Sequence, residues 1–183
     1  MVAYKAFEPG LVATRGNGRY KYKVGLNVAT EANCARNGFH CAENPLDCLN
    51  YYSWDNKNEF WLVEAGGDID EDGSDSRISC TMLTPIERLT LYDFLVAAAN
   101  FMIQHPKRET HSNVLRDKGT ASNGYCIVRG ENPLAKAKKP GEVWVWIQEK
   151  DGEDVDASIL IATGKYATIG VYRNIMWEVV NDA

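Results

Sequence analysis

The run EVWVWI at residues 142–147 carries the strongest strand pattern of the chain. Alternate side chains of a strand point to opposite faces. The two valines and the isoleucine of this run therefore share one face, and the two tryptophans share the other. Both faces are apolar, which is typical of a strand that is covered on both sides or lies at a contact surface. The segments 125–129, 157–161 and 171–180 are also rich in β-forming residues, so we expect the last third of the chain to be all-β.

Two segments carry the signals of helices. At residues 44–47, Asn-Pro-Leu-Asp offers an N-cap, a proline at the first helical position and an acidic residue in the first turn. This predicts a helix of about two turns. Between Leu91 and Met102, apolar residues recur at helical spacing, and Thr90 can cap that helix. The segment 84–87, Thr-Pro-Ile-Glu, is a rival start for the second helix.

These elements predict an α+β protein in which an N-terminal mixed antiparallel sheet with two helices is followed by a small β-rich C-terminal unit. The division that follows is an α+β unit over residues 1–105, a polar linker over 106–122 and a β-rich unit over 123–183. The two units are compatible with packing as one domain.

Composition and charge exclude several classes of protein. The chain has 183 residues and a formal net charge of −5, so it is a mildly acidic globular protein, and direct nucleic-acid binding is not expected. The longest apolar-rich stretch, 91–103, contains Asp93 and Asn100 and falls short of the roughly 20 residues that span a bilayer, so no membrane association is expected. The N-terminal residues do not resemble a signal peptide. Five cysteines without an export signal indicate reduced thiols and a cytoplasmic protein.

An acidic segment, 68–75, is a candidate calcium loop. Asp68, Asp70 and Asp72 supply oxygens at alternate positions, and a turn glycine follows them. Ser79 stands at the twelfth position, where a calcium loop has a bidentate glutamate, and the segment follows a predicted strand instead of a helix. We therefore assert no metal site, and a solvated acidic turn that contacts a basic partner is the competing interpretation.

A second group of possible metal ligands lies between residues 34 and 48. Cys34, His40, Cys41 and Cys48 are the residue types that bind zinc, but no Cys-x-x-Cys spacing is present. Buried thiols with one hydrogen-bonded histidine are the preferred interpretation. Standard phosphate-loop, dinucleotide-fold, serine-hydrolase and zinc-protease motifs are also missing.

The segment GFHCAENPLDCLNYY at residues 38–52 resembles an uncharacterised domain family found in bacteriophages, prophages and bacteria. Members open with a Tyr-Lys-Ala/Gly-Phe strand, which corresponds to residues 4–7 here, and continue with an Arg-Gly at 15–16. A Val-Glu-x-x-Gly-Asp-Ile strand end corresponds to residues 63–69. The resemblance implies a phage or mobile-element origin and no particular activity.

The same region also resembles the core of ADP-ribosyltransferases at the level of the fold. That resemblance implies that Arg15 holds NAD, with His40 as a second candidate residue beside it. Phe39 or Tyr52 would be the stacking ring. The catalytic acid would be one of three glutamates, with Glu64 preferred over Glu131 and Glu178.

We therefore predict a non-enzymatic phage or mobile-element accessory protein that binds and inhibits a host protein in the host-cell cytoplasm, without a cofactor. Anti-defence activity, including anti-CRISPR activity, follows from the implied origin. Trp54 in a polar turn is the expected aromatic anchor, and the acidic contacts are Asp70, Glu71 and Asp72. Two alternatives stay open: an ADP-ribosyltransferase-like enzyme that uses NAD, and a virion or small-ligand-binding protein.

Overall fold

A computed structural model describes residues 1–16, 18–55, 57–71, 73, 75–150, 153–163, 166–170 and 179–181. After residue 150, side chains are described only at 157–159. The chain divides into two compact units, Met1–Thr90 (unit 1) and Leu91–Ala183 (unit 2).

Unit 1 contains seven described strands and one short helix. The helix is a 3-10 helix over Pro45–Asn50. The strands are β1 Val2–Phe7, β2 Val12–Ala13, β3 Tyr20–Lys21, β4 Asn27–Val28, β5 Phe39–Ala42, β6 Glu59–Glu71 and β7 Arg77–Arg88.

Four strands of unit 1 form a closed ring of antiparallel pairings. Strand β1 lies between β5 and β6, with Tyr4 opposite Ala42 and Val2 opposite Glu64. Strand β7 pairs with both β5 and β6 and so closes the ring. Strand β4 adds to β7 outside it. Closure leaves these strands few free edges. Their inward side chains form most of the core of the unit, and Leu11 and Tyr22 join it from outside the ring strands: Ala3, Phe7, Leu11, Tyr22, Phe39, Cys41, Val63, Ala65, Ile78, Cys80 and Leu83.

The 3-10 helix begins as the sequence predicts. The Asn44 side chain accepts a hydrogen bond from the backbone N–H of Leu46 at 3.1 Å, and Pro45 occupies the first helical position. Leu46 is fully buried, so the helix is held by packing as well as by its cap.

Unit 2 is a six-stranded sheet with one α-helix. The helix α1 is Leu91–Gln104, and its buried face consists of Phe94, Leu95, Ala98, Ala99 and Met102. The strands are β8 Val114–Thr120, β9 Tyr125–Lys136, β10 Val143–Lys150, β11 Glu153–Thr163, β12 Tyr166–Gly170 and β13 Val179–Asn181. They lie in the order β13-β12-β11-β10-β9-β8, and the pairs β8–β9 and β9–β10 are parallel.

The central strand β10 confirms the pattern of the EVWVWI run. Val143, Val145 and Ile147 are buried on one face, whereas Trp144 and Trp146 on the other face are partly exposed. A buried ion pair lies near its end, where Arg129 donates to Glu149 at 2.5 Å and to the carbonyl oxygen of Pro106 at 2.7 Å.

The α+β prediction is wrong, because the protein is mostly β, with 50% of its residues in strands. Among the described residues of unit 1, the 3-10 helix is the one helix, and α1 begins only in unit 2. The rival helix start at 84–87 is wrong as well, since β7 continues to Arg88. The strand content is higher than the apolar pattern suggests because β6 continues through an exposed and mostly polar end, 68–71, that pairs with the buried start of β7. Strand β8 lies within the segment 106–122, where a polar linker was expected.

Candidate functional site

A cleft of about 620 Å³ opens on unit 1. This is within the range of roughly 300–1,000 Å³ that is usual for small-molecule sites. Strands β1 and β5, the 3-10 helix, and the loops after β2 and before β5 supply most of its wall. The side chains that matter for its chemistry are Arg15, Phe39, His40, Tyr51, Tyr52 and Arg77.

Strand β5 enters the cleft through a glycine. Gly38 has φ +83°, a left-handed conformation that side chains rarely adopt, and an added Cβ would lie 2.4 Å from the Ser79 hydroxyl oxygen. The Ser79 hydroxyl in turn donates to the backbone oxygen of Asn37 at 2.6 Å. This close approach places the next two residues, Phe39 and His40, in the cleft wall.

His40 is oriented by a backbone contact. Its Nε2 accepts a hydrogen bond from the backbone N–H of Ala35 at 3.1 Å. An acceptor at Nε2 requires the neutral tautomer with the proton on Nδ1. In this state the imidazole carries no charge.

Two guanidinium groups lie over tyrosine rings. The Arg15 guanidinium carbon is 5.8 Å from the centre of the Tyr52 ring, and that of Arg77 is 5.5 Å from the centre of the Tyr51 ring. Arg77 also donates to the Tyr51 hydroxyl oxygen at 2.6 Å. These contacts hold each planar cation against an aromatic face, a geometry that favours arginine over lysine.

The charge of the cleft is predominantly positive. Its described lining holds four arginines and one lysine, against one carboxylate, Asp47. The basic residues are Lys5, Arg15, Arg19, Arg36 and Arg77. Asp47 accepts hydrogen bonds from both the backbone N–H and the hydroxyl of Ser76, at 2.9 and 2.6 Å. Its carboxylate therefore holds the 3-10 helix against the start of β7.

Burial shifts the pKa values of groups at the base of the cleft. Desolvation raises the pKa of the Cys48 thiol to about 12 and raises that of the Tyr22 hydroxyl as well. Desolvation also lowers the pKa of the Lys5 ammonium. Each shift favours the uncharged form of the group, so the base of the cleft is apolar although its rim is cationic.

The structure brings together four of the residues implied by the transferase resemblance. Arg15, Phe39, His40 and Tyr52 all line the cleft. The preferred acid does not join them, because Glu64 lies exposed on β6 outside the lining.

The other two acid candidates, unlike Glu64, belong to unit 2 of the chain. Glu131 lies on β9 of unit 2, and Glu178 lies outside the described residues. Sequence reasoning missed Arg77 and Lys5 as cleft residues. Arg77 follows the acidic segment with no motif around it, whereas Lys5 carries a signal in the alternation of β1, since it falls on the same face as the core residues Ala3 and Phe7.

The residues expected to contact a protein partner do not form one surface feature. The Trp54 ring stacks on Phe60 with 4.5 Å between ring centres, and Asp70 accepts a hydrogen bond from the backbone N–H of Cys34 at 2.7 Å. Glu71 is exposed at the end of β6. Asp72 lies outside the described residues.

The candidate metal ligands likewise do not form a cluster. Asp68 and Asp70 stand on the end of β6, whereas the sequence analysis placed them in a loop. Over the described ranges, no three His, Cys, Asp or Glu side chains converge in a way that could hold a metal ion. The cysteines Cys34, Cys41 and Cys48 are buried and are not in disulfides.

Comparison with protein families identifies the class of this chain. Residues 1–97, more than half of the 183, match a domain of unknown function designated DUF7666. The chain therefore belongs to that family, and the match covers all of unit 1 and the start of unit 2. This confirms the resemblance to an uncharacterised domain family, whereas the phage origin and the transferase resemblance stay predictions.

No curated protein and no solved structure matches the chain. Within the described residues, no helix is both long enough and apolar enough to cross a membrane.

Proposed function

We propose that the cleft of unit 1 binds a small anionic ligand that carries a planar aromatic group, with NAD and ADP-ribose as the first ligands to test. The observation that supports this proposal is the composition of the lining. Several cationic side chains and aromatic rings share one cleft of about 620 Å³ with a single carboxylate, Asp47, in its described part. Such a site complements a phosphate group joined to a ring.

Arg15 is the residue best placed to hold the anion. Among the described residues no carboxylate pairs with its guanidinium, whose recorded contact is the face of the Tyr52 ring. Guanidinium groups bind phosphate through two parallel hydrogen bonds, and a ring stacked below restricts the side chain before the ligand arrives. His40 lines the same cleft. Phe39 and Tyr52 offer faces for an aromatic group.

The proposal is limited to binding, because transfer of ADP-ribose also needs an acid near the ligand. Glu64 is not part of the lining, and the Asp47 carboxylate is already engaged by Ser76. Inhibition of a host protein stays a prediction from the sequence. No geometric feature of Trp54, Asp70 or Glu71 in the described structure favours it.

Isothermal titration calorimetry with the full chain tests the proposal. ADP-ribose and NAD should bind, and adenosine, which lacks phosphate, should bind at least tenfold more weakly. The substitution Arg15→Gln should weaken ADP-ribose about 10- to 100-fold, since a charged hydrogen bond contributes about 1.5–3 kcal/mol. Arg88→Gln is the matched control. Arg88 lies in the same unit, and its exposed side chain pairs with Glu59 at 3.7 Å.

Two results would contradict the proposal. One is the absence of heat with every phosphate-bearing ligand at millimolar concentration. The other is equal affinity in the Arg15→Gln and Arg88→Gln variants, which would show that any binding occurs away from the cleft.

A further inference from the structure

Lys5 is a cation on the core-facing side of a strand. It lies on the same face of β1 as Ala3 and Phe7, which are fully buried. Its own side chain is 8% exposed. It also lines the cleft. Lysine is among the residues that are least often buried without a partner, so this position requires an explanation.

The Lys5 ammonium has a carbonyl oxygen and two ring faces as neighbours, but no counter-charge among the described carboxylates of unit 1. The Nζ donates to the backbone oxygen of His40 and lies 5.4 and 5.2 Å from the centres of the Phe7 and Tyr22 rings. Across the described part of unit 1, no carboxylate lies within ion-pair distance of it. Three buried thiols surround it, those of Cys41, Cys48 and Cys80.

These surroundings favour the neutral amine. Desolvation is the largest influence on the Lys5 ammonium and lowers its pKa, whereas ionised Cys41, Cys48 or Cys80 would raise it. Burial raises the pKa of Cys48 to about 12, so that thiol is uncharged near neutral pH, and the hydrogen bond with Cys41 lowers the pKa of Cys80. A neutral lysine amine in the lining of a cleft is a nucleophile toward carbonyl groups.

We propose that the Lys5 amine forms an imine with the aldehyde or ketone group of an anionic ligand in the cleft. The amine nitrogen attacks the carbonyl carbon, and the carbonyl π electrons move to oxygen. The resulting carbinolamine loses water, which carries away the carbonyl oxygen and the two hydrogens of the neutral amine. The new C=N bond replaces the C=O bond, and no oxidant or reductant takes part. The cationic rim, with Arg15 and Arg77, attracts the anionic end of the ligand.

This inference uses the same cleft as the nucleotide proposal but does not depend on nucleotides. ADP-ribose binding would be lost if Arg15 did not face the ligand, and imine formation would be lost if Lys5 were not reactive. The two can therefore fail separately, and different measurements detect each failure.

Reductive trapping of the full-length protein tests the proposal. Glyoxylate and, separately, pyridoxal 5′-phosphate are the probes, since both join an aldehyde to an anion. Sodium cyanoborohydride converts an imine to a stable secondary amine by adding hydride to carbon, and peptide mass spectrometry locates the adduct. Near neutral pH, Lys5 should be labelled faster than the exposed Lys23, because a lowered pKa increases the fraction of Lys5 that is present as the neutral amine.

The matched variants separate reactivity from structure. Lys5→Met keeps an unbranched side chain of similar length, and Lys5→Arg keeps the charge, yet neither can form an imine. Both should lose the adduct at position 5, whereas Lys23→Arg should leave that adduct unchanged. Circular dichroism checks that each variant is folded.

The comparison of Lys5 with Lys23 within the unmodified protein needs no variant and stays decisive if Lys5 substitutions prevent folding. Labelling of Lys23 as fast as Lys5, or no adduct at Lys5 with either probe, would overturn the proposal. Adducts at Lys5 without any ADP-ribose binding would support it while removing the nucleotide proposal.

Discussion

Replacement of Gly38 by alanine tests how the entry to β5 shapes the cleft. The backbone there has φ +83°, which costs a non-glycine residue about 1–2 kcal/mol. The new Cβ would lie 2.4 Å from the Ser79 hydroxyl oxygen, 2.9 Å from the backbone oxygen of Glu31 and 3.0 Å from the Cα of Ala32. Rotation of Ser79 away would break its bond to Asn37, worth about 1 kcal/mol, and the two backbone contacts can relax only if the chain shifts. We expect a total loss of about 2–4 kcal/mol.

Gly10→Ala is the matched control for this substitution. Gly10 has φ +80°, nearly the same as Gly38, but an added Cβ there meets nothing within 4 Å. It should therefore cost only the backbone contribution of about 1–2 kcal/mol. The difference between the two variants measures the crowding at β5.

The rate at which a thiol reagent labels buried cysteines reports the free energy of opening of unit 1, separately from unit 2. Cys41, Cys48 and Cys80 are buried in unit 1, so under native conditions they react with a thiol reagent only when the unit opens. Gly38→Ala should speed this reaction by about 30- to 1,000-fold, and Gly10→Ala by roughly tenfold. Equal rates in the two variants would refute the assignment of strain to the Ser79 and backbone contacts.

Three further predictions concern buried polar groups. Asp47→Ala should destabilise unit 1 by about 2–3 kcal/mol, because the backbone N–H and hydroxyl of Ser76 both lose their acceptor. The labelling rate of the buried cysteines of unit 1 measures this loss. Arg129→Met should cost unit 2 about 3 kcal/mol, because Glu149 loses a buried partner; urea unfolding followed by tryptophan fluorescence measures it. The folded state keeps the Cys48 proton up to about pH 12, whereas the unfolded chain loses it near pH 9.0. Between these values the free energy of unfolding should therefore fall by up to about 1.4 kcal/mol per pH unit, and Cys48→Ala should flatten that slope.

Two of these predictions have a companion variant within the same contacts. Ser76→Ala removes the hydroxyl bond to Asp47 and also the acceptor of the Asn44 backbone N–H, at 2.6 and 2.7 Å, so it should destabilise unit 1 by a similar amount to Asp47→Ala. Arg116→Met removes the exposed partner of Glu149, so it should cost under about 1 kcal/mol. A smaller effect of Arg129→Met than of Arg116→Met, or a pH slope that Cys48→Ala leaves unchanged, would contradict the reasoning.

Local signals in the sequence predicted local structure well. The Asn-Pro-Leu-Asp run at 44–47 has the expected cap, and helix α1 starts at Leu91 directly after Thr90. The faces of the EVWVWI run are also as predicted. In each case the pattern lies within a few consecutive residues, and its physical cause is a capping bond or one buried face.

Long-range pairing explains what the sequence did not reveal. The closed ring joins Val2 to Glu64, and no local pattern encodes such a contact. The mostly polar end of β6 looks like a loop in the sequence. It is a strand because the start of β7 satisfies its backbone hydrogen bonds across the ladder, and its own side chains are exposed. Without this end, the share of strand in the chain looked smaller than it is.

The cleft was predictable only in part for the same reason. The family-like segment pointed to His40, and the transferase resemblance pointed to Arg15, both of which line the cleft. Arg77 reaches it because β5 pairs with β7 in the register that sets His40 opposite Ser79. That register is a tertiary property, so Arg77 had no signal of its own.

The position of β1 inside the ring has a consequence for synthesis of the chain. Strand β1 is made before every other described strand, yet both of its hydrogen-bonding edges are occupied by segments made later, β5 at residues 39–42 and β6 at 59–71. The ring closes only when β7 has followed, up to residue 88. A nascent chain therefore carries an apolar strand with open edges while most of unit 1 is being translated, which is the interval in which chaperones bind and aggregation begins.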